Sequence, residues 1–198
     1  MDFKWARLAL VFVMAAPSSF GEEETVKISQ QPFPDSDIPT HIAEGTVDAP
    51  AAEVWAVVSR CADYFKTMPR IAKSLELSRE GDEARLWTVK CQVTAALPFP
   101  FSNLTGTTLA IHKVEPGVKY TREWSLVSGD YDFNNGSWTL VAIDGGKRTY
   151  ATYKIRVKPK INLPTSWISR AQQTAAKEVI LSIRAAVRKP QPINASHP

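Results

Sequence analysis

ARLWTVKCQVTAA, residues 84–96, is the stretch on which the fold turns. Trp87, Val89, Cys91, Val93 and Ala95 fall in one phase, and Thr88, Lys90, Gln92 and Thr94 fall in the other. A period of two describes a strand with one dry and one wet face, as in an antiparallel sheet that covers a core on one side only. The same period recurs on both sides of this stretch. Lys73 to Arg79 alternates and is expected to break at Glu80-Gly81-Asp82, while Leu104 to Val114 follows the turn at Pro98-Phe99-Pro100. Pro116-Gly117 turns the chain, and Tyr120, Arg122, Trp124 and Leu126 then share a face. After Gly129-Asp130, Asn134, Gly136, Trp138 and Leu140 line another strand. Asp144-Gly145-Gly146 makes a hairpin loop, and Ala151, Tyr153, Ile155 and Val157 complete a sheet of about six to seven antiparallel strands.

Away from the strands the period lengthens. Ile168, Ala171, Ala175, Val179, Ile183, Ala186 and Val187 keep a helical stripe from Pro164 to about Arg188, where Pro190 and Pro192 bar continuation. Upstream, Pro50 sits where a helix can start, and Val54, Trp55, Val57 and Val58 fit a short amphipathic helix within Ala51 to Cys61. A second brief turn at Asp63 to Lys66 stops at Met68-Pro69. One long helix with an apolar stripe needs a partner, and the dry face of the sheet is the large apolar surface on offer. The class is therefore α+β.

The two ends of the chain read differently. Lys4 and Arg7 precede an uncharged run from Leu8 to Ala16, and the small residues Ser19 and Gly21 suit cleavage before Glu22. Residues 1–21 are accordingly expected to be a signal peptide, which makes the protein exported, to a periplasm or the cell exterior. Residues 22–40 hold five acids against Lys27, with three prolines, and read as an extended solvated leader. The domain then runs over 41–189, followed by a disordered tail at 190–198. From Lys147 onward there are eleven basic residues and one acid, Glu178. Arg170, Lys177 and Arg184, seven apart on the last helix, are candidates for peripheral contact with an anionic membrane. Export argues against nucleic acid as the partner of that charge. Cys61 and Cys91 either close a disulfide in an oxidising compartment or lie as two buried thiols.

Gly45-Thr46-Val47-Asp48-Ala49-Pro50 with Val54-Trp55, Asp63-Tyr64 before Met68-Pro69, and the long terminal helix resemble the START-like (SRPBCC) superfamily. The likeness is to its polyketide cyclase/dehydratase and coenzyme Q-binding types, over roughly residues 41–188. It implies a helix-grip fold: a curved antiparallel sheet around the C-terminal helix, with two short helices after the first strand. It also implies a cavity between sheet and helix for a hydrophobic small molecule such as a lipid, quinone or polyketide. Gly129-Asp130-Tyr131 and Asn134-Asn135-Gly136-Ser137-Trp138 form a distinct local signature whose role the sequence leaves open.

On this reading Trp87, Tyr120, Arg122, Trp124, Trp138 and Tyr153 line the cavity, with its entrance near the Pro98 to Ser102 loop and Trp167. The alternative for the rings is a solid core. Arg122 is the pointed oddity, because alternation places a guanidinium on the apolar face. It either pairs with Asp130, Asp132 or Glu123, or meets an anionic or carbonyl group of a ligand. His41, His112 and His197 are scattered, and no GxSxG, HExxH or phosphate-cradling loop appears. No metal, redox group or other cofactor is implied, and binding is expected rather than catalysis. Cyclase or dehydratase chemistry on the same cavity, or an interaction module without ligand, are the alternatives.

Overall fold

The computed structural model describes residues 25–34 and 36–188, so the signal-peptide and tail readings, on 1–21 and 190–198, lie outside the described residues. Eight strands form one antiparallel sheet. They are β1 (Lys27–Phe33), β2 (Ser36–Val47), β3 (Ile71–Asp82), β4 (Leu86–Ala95), β5 (Leu104–Glu115), β6 (Lys119–Gly129), β7 (Tyr131–Ile143) and β8 (Arg148–Pro159). Their order across the sheet is β1-β2-β8-β7-β6-β5-β4-β3. Strands β3 to β8 are a plain meander, and β8 then pairs with β2, from His41 opposite Ile155 to Val47 opposite Thr149. Helices α1 (Ala51–Val58) and α2 (Tyr64–Thr67) follow β2, and α3 (Thr165–Arg188) crosses the concave face. This is the helix-grip arrangement.

Two sequence expectations need correction. The stretch 22–40 is not a free leader over its described length, since β1 and the first part of β2 belong to the sheet and raise the strand count to eight. β1 is an edge strand with mostly exposed side chains, so no buried face imposes alternation on it. Its prolines sit where an edge tolerates them: Pro32 falls at the register shift between Gln31 and Phe33, and Pro39 precedes the first β2–β8 pair. Second, β3 runs through Glu80-Gly81-Asp82, and the turn falls at 83–85 instead.

α3 begins at Pro164, whose carbonyl accepts from the Trp167 and Ile168 amides at 2.9 and 3.2 Å. It buries Ile168, Val179 and Ile183 of the expected stripe against β2, β8 and α1, together with Ala176 and Ile180, while Ala171 is exposed and Ala175, Ala186 and Val187 are half-buried. Each large aliphatic side chain so buried contributes about 2 kcal/mol. The register of helix on sheet is fixed by polar contacts. Gln172 bonds both backbone groups of Val157, each at 2.9 Å, and Ser169 Oγ lies 3.1 Å from His41 Nε2. Gln172 thereby takes the place of a strand partner on β8 beyond the point where its pairing with β2 ends. A disulfide joins Cys61, in the 3-10 turn before α2, to Cys91 on β4, and so ties the two short helices to the sheet. No helix among the described residues is long and apolar enough to cross a membrane.

Candidate functional site

Alternation together with register produces the central feature of the concave face. Trp87, His112, Arg122, Trp138 and Tyr153, from β4 to β8, stand directly opposite one another in a single cross-strand row. Tyr120 and Trp124 flank Arg122 along β6. All six residues expected to line a cavity are thus on one face and close together. Their surroundings then divide them.

At the α1 end the face is solid. Trp55 of α1 covers Trp87, His112 and Tyr120, with ring centres 5.7, 5.2 and 5.6 Å away. Trp87, Tyr120 and Trp138 are buried here, as core. Toward the other end the same face loosens. Trp124, Leu126, Asn134, Gly136, Tyr153 and Ile155 all point inward yet are half-buried. α3 runs along β2 and β8, so this part of the inner face is less covered than the α1 end and is the candidate cleft between sheet and α3. On β6 the inner side is partly exposed at Trp124 and Leu126, whereas Leu104, Gly106 and Thr108 on the inner side of β5 are buried, Gly106 beneath the Tyr131 ring.

The local signature left open by the sequence has a role in this cleft. Trp124 lies flat across β7 because residue 136 is glycine, and a methyl group there would overlap the indole and the Lys154 carbonyl. The indole N–H donates to Asn134 Oδ1 at 3.1 Å, and the ring stacks on Tyr153 at 5.9 Å. Tyr153 in turn meets Trp138 at 4.7 Å. Asn134 and Gly136 together therefore lay a flat aromatic floor under the cleft.

Arg122 stands where the solid and open parts meet. It is 4% exposed, and its guanidinium carbon lies 4.9 Å from the Trp124 ring centre and 5.5 Å from that of Tyr64 on α2. The expected acids do not pair with it. Asp130 accepts from the Thr105 amide at 2.8 Å, Asp132 pairs with Lys158 at 3.5 Å, and Glu123 is exposed. A β-strand sends Glu123 to the opposite face, and both aspartates lie at the turn into β7, beyond the strand's open end.

The titrating groups around Arg122 are held neutral. Burial, then the Arg122 charge, then that of Arg79 lower His112 to about 3, so it is an uncharged imidazole at neutral pH. Both its ring nitrogens are sealed from solvent without a hydrogen-bond partner. Burial raises the Tyr153 phenol, with a further push from Tyr64 and an opposing pull from Arg122. Burial also raises Tyr64, whose hydroxyl donates to the Val58 carbonyl. His112 and Tyr64 escaped the sequence-based lining, although His112 shares its phase with Ala110, which would have placed it in the row.

The Ala96 amide bonds the Arg70 carbonyl at 2.8 Å, and Arg70 borders a surface recess of about 310 Å³. That recess is lined by Arg70, Trp167, Arg170, Ala171 and Thr174. Of the three helix cations, Arg170 and Lys177 are exposed. Arg184 is corrected: it turns inward, half-buried, with Nε donating to the Thr46 carbonyl at 2.9 Å, in room that Gly45 leaves on β2.

Solved structures share this architecture. A STAR-related lipid transfer protein from Xanthomonas axonopodis superposes with a TM-score of 0.70 at 16% identity, covering 85% of this chain and 100% of that one. A START superfamily protein from Mycobacterium smegmatis gives 0.62 at 15%, covering 75% and 97%. The Zhui aromatase/cyclase from Streptomyces sp. R1128 gives 0.51 at 16%, covering 75% and 90%. At these identities the likeness is one of fold. Among curated proteins none matches. The model of the family described as polyketide cyclase / dehydrase and lipid transport matches residues 47–184, from the end of β2 through most of α3. With more than half its length so matched, the chain belongs to that family within the START-like superfamily.

Proposed function

We propose that the protein binds and carries a hydrophobic small molecule in the cleft between the sheet and α3. The observation that carries this reading is that Trp124, Leu126, Tyr153 and Ile155, apolar side chains of the inner face, are only half-buried, while Trp87, Tyr120 and Trp138 on the same face are buried. Apolar and aromatic walls with a few polar groups make a ligand site. The similar structures whose names mention lipid transfer support a lipid-like guest. Native mass spectrometry of protein purified from its own cells is expected to show a bound species that organic extraction removes. A single mass equal to the bare polypeptide under all gentle conditions would count against the reading.

Binding without turnover is the form we favour. A general base needs a pKa near the working pH and access to substrate, and His112 has neither. Steady consumption of a bound polyketide-like substrate, abolished in Arg122→Ala with binding intact, would move the assignment to an enzyme.

We further propose that the protein is exported and meets an anionic membrane peripherally through Arg170 and Lys177. The disulfide supports an oxidising compartment. The exposed Trp167, beside Arg170 at the mouth, suits an interface where indole and cation both reach head groups. Sedimentation with vesicles containing anionic lipid is expected to fall on raising salt and in Arg170→Glu/Lys177→Glu.

A further inference from the structure

We infer that the guest is a monoanionic amphiphile of the long-chain carboxylate class, its head held by Arg122 with the Tyr153 hydroxyl as a second donor. This rests on the ligand-binding reading above and names the chemistry of that site.

Arg122 is nine-tenths buried and more, yet no acid among the described residues neutralises it, and its Nε is sealed without a partner. An uncompensated buried guanidinium is costly, and a bound anion would offset that cost. The side chain is held in a definite pose between Trp124 and Tyr64, and contact with ring faces steadies the cation without using its N–H donors. The two terminal nitrogens differ from Nε in keeping accessible surface while bonding no described residue. The forked end, the part that reads a carboxylate with two parallel hydrogen bonds, is therefore the part left with open donors.

Tyr153 stands two strands along the same row, on the same face. Its hydroxyl likewise keeps accessible surface and bonds no described residue. Its raised pKa keeps the phenol protonated, so it presents a donor. His112, beside Arg122 in the row, stays neutral and adds no second positive charge. One buried cation matches one negative charge. A phosphate monoester, carrying about −1.5 to −2 near neutral pH, would be left in excess. The half-buried Trp124 and Leu126 continue from Arg122 along β6 toward the open end. The head therefore lies innermost and the apolar tail points to the mouth.

The test is isothermal titration of the delipidated full chain with hexadecanoate, hexadecanol and hexadecyl phosphate, in wild type and in Arg122→Met and Tyr153→Phe. Wild type is expected to bind hexadecanoate at least about tenfold more tightly than hexadecanol, as a charge-assisted pair implies. Arg122→Met should lose that preference while keeping its affinity for the alcohol, and Tyr153→Phe should weaken the acid alone by a smaller factor. Equal wild-type affinity for acid and alcohol, or undiminished acid binding in Arg122→Met, overturns the assignment and leaves the cleft reading standing. Preference for the phosphate over the carboxylate overturns the carboxylate class. Binding of neither acid nor alcohol removes this inference and the ligand-binding reading together. The wild-type comparison needs no variant, so it decides even if Arg122→Met does not fold.

Discussion

Arg122 and His112 stand opposite each other in the row and carry opposite lessons about buried polarity. Arg122 has no acidic partner among the described residues, so Arg122→Met, of similar length and apolar, is expected to raise unfolding free energy by about 1–3 kcal/mol without ligand. Urea denaturation reads this, and a clear loss of stability would assign Arg122 to holding the fold together. His112 has shed its charge. Its folded pKa, near 3, lies below the unfolded value of 6.5, so its contribution is complete above pH 6.5 and is lost as pH falls toward 3. Over that window the slope from one such group is about 1.4 kcal/mol per pH unit. His112→Leu should flatten the acid limb of stability against pH by about that slope, leaving the smaller share of His41, which burial also lowers. An unchanged limb would mean His112 is already charged in the fold. Gly136→Ala should cost about 1–3 kcal/mol through overlap with Trp124, and the displaced indole should report it as a shifted emission maximum. At this scale the sequence was informative about placement, since alternation put Arg122 and the rings on one face. It was silent about pairing, because whether an acid reaches a guanidinium depends on which side of a turn Asp130 and Asp132 emerge.

Among the elements, legibility followed burial. The strands from β4 to β8 and the stripe of α3 were readable because each has one face that must be dry. β1 was not, because an edge strand with exposed side chains obeys no such rule and its prolines mimic a linker. The disulfide was readable only as a possibility; its partners are 30 residues apart and meet because the turn before α2 docks on β4. Closing a loop of that size contributes about 3.6 kcal/mol on the chain-entropy account. Cys61→Ala/Cys91→Ala is expected to lower stability by about that much, with urea midpoints no longer responsive to reductant. An equal stability of oxidised and reduced wild type would mean that α1 and α2 stay docked by packing alone.

Across the whole molecule the decisive property is a gradient. Trp55 and the row beneath it make the α1 end a packed core, and the course of α3 over β2 and β8 leaves the far end of the face half open. Neither composition nor periodicity contains this, because it depends on where a 24-residue helix lies across a curved sheet. On the proposed function, aromatic side chains of this face serve as packing at one end and as walls at the other, with Trp124 among the walls and Trp167 at the entrance. Titration of the delipidated protein with an uncharged long-chain methyl ester brominated along its chain reads both, because bromine quenches indole emission on contact. Saturable quenching is expected, lost in large part in Trp124→Phe and retained in Trp167→Phe. Absence of saturable quenching, or its abolition by Trp167→Phe alone, would contradict a guest lodged between sheet and helix.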